Sequence, residues 1–114
     1  MPIPDLERKR VEALLSKFCR DRVPAHVRPQ LQILFRFSGN TVHLIERRPH
    51  WRGVGEYTEH IAAKFKYDQT KGGWTLYYGD RNNRYHRYPP TGRNKSFRDL
   101  LDEVDRDPTG IFWG

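Results

Sequence analysis

From residue 27 to 88 the apolar side chains recur at every second position, and on either side of that stretch they recur at helical spacing. This change of period constrains the fold most strongly, because a period of two buries one side of a strand and a period near 3.6 buries one stripe of a helix. Leu31, Ile33, Phe35 and Phe37 alternate with Gln30, Gln32, Leu34 and Arg36, and a Ser-Gly-Asn turn at 38–40 follows. Val42 and Leu44 then continue the inward side, with His43, Ile45 and Arg47 on the other. After a Gly- and Pro-containing loop, RPHWRGVGEYT, a third strand sets Ile61, Ala63, Phe65 and Tyr67 against Ala62, Lys64 and Lys66. The turn residues of DQTKGG lead into WTLYY, with Trp74, Leu76 and Tyr78 inward and Thr75 and Tyr77 outward. GDRNN closes a hairpin onto RYHRY, where Asn82 and Asn83 tolerate the positive φ of a tight turn.

The flanks are helical. Residues 5–22 carry Val11, Leu14, Leu15 and Phe18 on one stripe, and Pro24 lies just beyond their end. SFRDLLDEV opens with a capping pattern, Ser96 with Asp99 three residues on, and sets Phe97, Leu100, Leu101 and Val104 at helical spacing until Asp107-Pro108 ends it. At 114 residues the chain has the size of one domain, residues 1–114. The order of elements predicts an α+β fold: a five-stranded antiparallel meander flanked by an N-terminal and a C-terminal helix, both packed on one face. The closing TGIFWG is too apolar for a free tail, and in a chain with only 36% hydrophobic residues Phe112 and Trp113 are expected inside.

Two helices cover one face of a sheet, so the other meets solvent or a partner. The predicted bare face holds Gln32, Arg36, His43, Ile45, Arg47, Lys64, Lys66, Thr75 and Tyr77, joined by Arg84 and His86 if Tyr85 points inward. A one-residue slip on any strand exchanges its two sides. Net charge is +7, and residues 80–95 hold five Lys or Arg against one acid, while residues 96–107 hold two against five. The excess positive charge therefore sits on the sheet and attracts polyanions. Arg and Lys hold phosphates without regard to sequence, and Tyr, His and Arg planes stack on unpaired bases. The expected activity is nucleic-acid binding, with single-stranded RNA or DNA as partner, through Arg36, Arg47, Lys64, Lys66, Tyr77, Arg84 and His86.

Two other classes compete. A metal-independent ribonuclease needs a general base, a general acid and a cation; His43, Glu46 and His86 supply the first two types, with Tyr77 and Arg47 nearby on neighbouring strands. An interaction module, with a second copy of the chain as one partner, would use the GIFWG ending and Trp51 as anchors. HIAAKFK lacks the Glu two places before either Lys that a restriction-type metal nuclease requires, and His50, Glu56, Glu59 and His60 match no metal-ligand spacing. Nothing calls for a cofactor: no Gly-rich phosphate loop precedes a helix, and no Gly-x-Ser-x-Gly occurs. No apolar run approaches the roughly 18 residues of a membrane span, MPIPDLERKR has no signal-peptide core, and the single cysteine, Cys19, reads as a small helix residue. A cytoplasmic location is expected.

VHLIERRPHW, AKFKY, GGWTLYYGDRNNRYHRY and the closing GIFWG together resemble a small bacterial family known as domain of unknown function 3024. The resemblance runs from the first helix to the last residue. It implies a bacterial, cytosolic protein and brings with it no catalytic residue.

Overall fold

The structure, a computed structural model, describes residues 3–27, 29–49 and 57–113. Helix α1 (Asp5–Arg22) begins at Pro4, with Asp5 and Glu7 in its first turn and Arg20 and Arg22 in its last, the arrangement that suits the helix dipole. Five strands follow: β1 (Gln32–Ser38), β2 (Thr41–Pro49), β3 (Tyr57–Asp68), β4 (Gly73–Gly79) and β5 (Tyr85–Arg87). They pair antiparallel in chain order, β1-β2-β3-β4-β5, so the sheet is an open meander. Helix α2 (Phe97–Arg106) completes the chain, capped where Ser96 Oγ accepts the Asp99 N–H at 3.2 Å.

Both helices lie on one face. Val11 and Leu15 of α1 and Phe97, Leu100, Leu101 and Val104 of α2 share one buried cluster with Ile33, Val42, Leu44, Phe65, Trp74 and Leu76 of the sheet. Each such Leu, Val or Phe contributes about 1.5–3 kcal/mol by leaving water. Trp74 lies at the centre: its ring meets Tyr67 and Phe97 with centroids 5.1 Å away, and its Nε1 donates to Glu7 of α1 at 2.7 Å. The helices also grip each other, Arg22 reaching Asp105 at 2.7 Å while its guanidinium lies 4.2 Å above the Trp113 ring.

The tail folds back as expected. Asp107 takes a left-handed conformation (φ 44°), and its carboxylate accepts the Phe112 and Trp113 N–H groups at 3.1 and 3.0 Å. Phe112 is buried, and Trp113 Nε1 donates to the Val104 carbonyl at 2.8 Å. These two rings close the core instead of standing out as anchors.

The strands depart from the sequence reading in two places. β2 and β3 extend into the stretch read as loop, held by Arg47 opposite Glu59 and Pro49 opposite Tyr57. Pro49 fits because β1 ends opposite Arg47, so the missing N–H concerns one neighbour only. A β-bulge also lies between Leu44 and Ile45, where Leu44 pairs with Ala63 but Ile45 pairs with Ile61. The extra residue moves Ile61 from the predicted inward set to a position opposite the outward Ile45.

Gly73 marks a close backbone approach. Trp74 and Lys95 exchange both backbone hydrogen bonds (2.8 and 2.9 Å), and a Cβ on Gly73 would stand 2.5 Å from Asn94 Cα and C. Gly73→Ala is therefore expected to destabilise the fold by about 1–3 kcal/mol in urea unfolding; an unchanged midpoint would contradict this approach.

Candidate nucleic-acid interface

Four register pairs, Arg36 with His43, His43 with Lys64, Lys64 with Tyr77 and Tyr77 with Arg87, align one residue from every strand on the face away from the helices. At about 4.8 Å per strand this transverse row is about 19 Å wide. Beside it runs a second row, Ser38, Thr41, Lys66 and Thr75. On its other side lie Leu34, Ile45 and Ile61, with Ile45 and Ala62 buried outside the helix-side core.

Charge on this face is unevenly compensated. Glu59 accepts two hydrogen bonds from Arg47, at 2.6 and 3.0 Å, and lies 3.8 Å from Arg36, so this one carboxylate serves both arginines. The bonds from Arg47 hold the Glu59 carboxyl below its ordinary range. Among the described residues, Lys64, Lys66 and Arg87 have no carboxylate partner. Lys64 instead rests its ammonium 4.8 Å from the Tyr85 ring and 5.9 Å from the Tyr77 ring.

His43, beside the Tyr85 ring at 5.9 Å, registers this environment. Its pKa falls below the ordinary 6.5, first through burial and then through the positive charges of Lys64 and Arg36. The unfolded chain therefore binds the proton more readily, and His43 withdraws stability as pH falls through 6.5 toward its own lower value.

The structure assembles Arg36, Lys64, Lys66 and Tyr77 on the outer face as the alternation predicts, and Arg47 is there but bound to Glu59. His86 is a correction. It pairs with Tyr78, so it lies on the helix side, its ring 5.3 Å from that of Tyr78 and its Nε2 2.7 Å from Asp80. Tyr85, not His86, points to the outer face, where it pairs with Gly79, and a Cβ on Gly79 would lie 3.7 Å from its ring. The parity is set by Tyr88, which must be buried: it is 2% exposed, donates to Glu103 at 2.8 Å and packs on Phe112. Counting back from the buried Tyr88 puts His86 inward and Arg87 outward. Arg84 stands in the β4–β5 turn, its N–H donated to Asp80 at 3.0 Å, outside the paired strand.

The three nuclease candidates do not converge. His43 faces outward, whereas Glu46 lies on the opposite side of β2 and binds Arg48 at 2.8 Å, and His86 is on the helix side of β5. Burial pushes the Cys19 thiol up to about 11, which disfavours the reactive thiolate at neutral pH. His50, Trp51 and Glu56 lie outside the described residues, and Glu59 and His60 alternate across β3. Among the described residues no three His, Cys, Asp or Glu side chains gather as metal ligands, and no helix is long and apolar enough to cross a membrane.

The family described as a domain of unknown function (DUF3024) matches residues 3–114. The chain belongs to that family. No curated protein and no solved structure matches it. Family membership thus confirms the resemblance and assigns no chemistry, so the interface rests on its own geometry.

Because Lys64 and Arg36 depress the His43 pKa, neutralising either in Lys64→Gln or Arg36→Gln should move it back toward 6.5. NMR titration of the imidazole protons reads this directly, and an unmoved midpoint in both variants would mean that the row carries no concentrated positive potential.

Proposed function

We propose that the outer sheet face binds single-stranded nucleic acid, RNA or DNA, without a fixed sequence. The observation that carries this reading is the row Arg36, His43, Lys64, Tyr77, Arg87, with Lys66 beside it, in which three cations lack a carboxylate partner among the described residues. Phosphates would lie along Arg36, Lys64, Lys66 and Arg87. Tyr77 and Tyr85 are both half-buried, and stacking on such a ring contributes about 1–3 kcal/mol per base. A duplex hides the faces of its bases, so stacking on these rings would favour an unpaired strand. The net charge of +7 adds a longer-range attraction that salt screens. A cytoplasmic setting agrees with a lone, unpaired Cys19.

Fluorescence anisotropy with a labelled oligonucleotide of about 12 residues tests this reading. Lys64→Glu with Lys66→Glu should weaken binding and lessen the slope of log affinity against log salt by about 0.7 for each phosphate no longer neutralised. Arg84→Gln and His86→Gln, outside the row, should leave both unchanged. Equal affinity in the lysine variant would remove those residues from the site.

Proton linkage supplies a second check. A phosphate beside His43 raises its depressed pKa, so binding takes up a proton and should tighten as pH falls through 6.5. His43→Gln should flatten that dependence; a wild-type affinity independent of pH between about 7.5 and 5.5 would place the phosphates away from His43.

A further inference from the structure

The outer face is not flat throughout. At the end of the second row a cleft of about 730 Å³ opens between the turns that follow β1 and β3 and the segment leading to α2. Its volume is in the range that small ligands occupy. Lys66, Thr75 and Tyr77 form its floor, and Arg93 and Asn94 stand at its wall. The wall is fixed in place because the adjacent Lys95 pairs with Trp74 through two backbone hydrogen bonds, of 2.8 and 2.9 Å.

The chemistry of the lining is mixed in an informative way. Lys66 and Arg93 have no carboxylate partner among the described residues. Asn40 uses its amide nitrogen on the Tyr67 carbonyl at 3.0 Å, which leaves its side-chain oxygen as an acceptor. Asp68 also lines the cleft, with Oδ1 engaged by the Thr70 and Lys71 N–H groups at 2.9 and 3.2 Å and Oδ2 remaining as an acceptor. A track for polyanion charge alone gains nothing from a carboxylate in its wall. A ligand with an anionic end, a planar ring and N–H donors uses every group present.

We propose that this cleft seats one phosphorylated nucleoside, its phosphate between Lys66 and Arg93 and its base on the Tyr77 ring, with Asn40, Asn94 and Asp68 at the base edge. The inference rests on the reading of the sheet face as a single-strand binder and makes the cleft the place where one nucleotide of the strand is held. Arg93, in a segment outside the regular elements, thereby becomes a binding residue. A free nucleotide and a nucleotide within a strand share this chemistry, and the two arms of the test separate them.

The test is an amide-resolved NMR titration of the whole chain with uridine 5′-monophosphate, uridine and inorganic phosphate, alongside oligonucleotide anisotropy. The nucleotide should shift the amides of Asn40, Lys66, Thr75, Tyr77 and Asn94 saturably, with uridine and phosphate each at least about tenfold weaker. Arg93→Gln and Tyr77→Leu should each weaken the nucleotide about tenfold, and Arg93→Lys should keep part of the affinity; the spectra themselves show that the variants are folded. Phosphate binding as tightly as the nucleotide, or indifference to Arg93→Gln, overturns the proposal. If the nucleotide gives no saturable shift while the oligonucleotide binds and is released by Lys64→Gln, the cleft falls and the sheet-face reading stands. If the oligonucleotide also fails to bind at low salt, the sheet-face reading falls and the cleft with it.

Discussion

Trp74 holds the two sides of this fold in relation to each other. Its ring packs on Tyr67 of β3 and Phe97 of α2, its Nε1 donates to Glu7 of α1, and its backbone pairs with Lys95 ahead of α2. One side chain on β4, the strand next to the sheet edge, thus contacts both helices on the same face. With both helices committed there, no described helix covers the opposite face, on which Arg36 and Lys66 are exposed while Ile45 and Thr75 are buried. The same residue's pairing with Lys95 carries Arg93 and Asn94 to the edge of that face. The core and the candidate site are therefore two results of one arrangement.

Positive charge is treated differently on the two sides of the molecule. Arg8 pairs with Glu12, Lys17 with Asp21, Arg22 with Asp105 and Arg106 with Glu103, so the helices largely neutralise themselves. These are mostly exposed pairs, each contributing at most about 1 kcal/mol, and they matter more for removing local charge than for stability. On the outer face Glu59 serves both Arg36 and Arg47 at one end of the row. The middle and far parts of the row are left cationic. Uneven compensation of this kind leaves Lys64, Lys66 and Arg87 as unneutralised charge on that face among the described residues.

Most of this architecture is legible in the sequence because alternation is unambiguous where one parity is aliphatic. Ile33, Val42, Leu44, Phe65 and Leu76 leave no doubt about which side of β1 to β4 is buried, and helix α1 and the Ser96 cap follow from equally local signals. Legibility fails where both parities carry the same residue type. In Arg84-Tyr85-His86-Arg87-Tyr88 a tyrosine stands at each parity, and only the three-dimensional need to bury Tyr88 against Glu103 and Phe112 selects between them. The bulge at Ile45 is likewise silent, since it depends on how β2 and β3 meet and not on either segment alone. The capture of Arg47 by Glu59, twelve residues away, exists only in that register. Arg93 escapes a reading based on periodicity because it lies in neither a strand nor a helix.

The neutral His43 carries the argument from geometry toward function. His43 loses its proton more easily first because it is partly buried and then because Lys64 and Arg36 are close, and Lys64 has no carboxylate partner among the described residues. The free protein thus holds mutual repulsion on its outer face, which lowers the stability of the folded state without aiding its packing. If the face served only to keep the sheet soluble, interspersing acids would achieve that without the repulsion, as the helices of this same chain do. An anionic ligand relieves the repulsion when it binds, and the relief adds to the attraction each phosphate feels. Under the proposed function, the stability withheld in the free state would reappear as affinity for a polyanion.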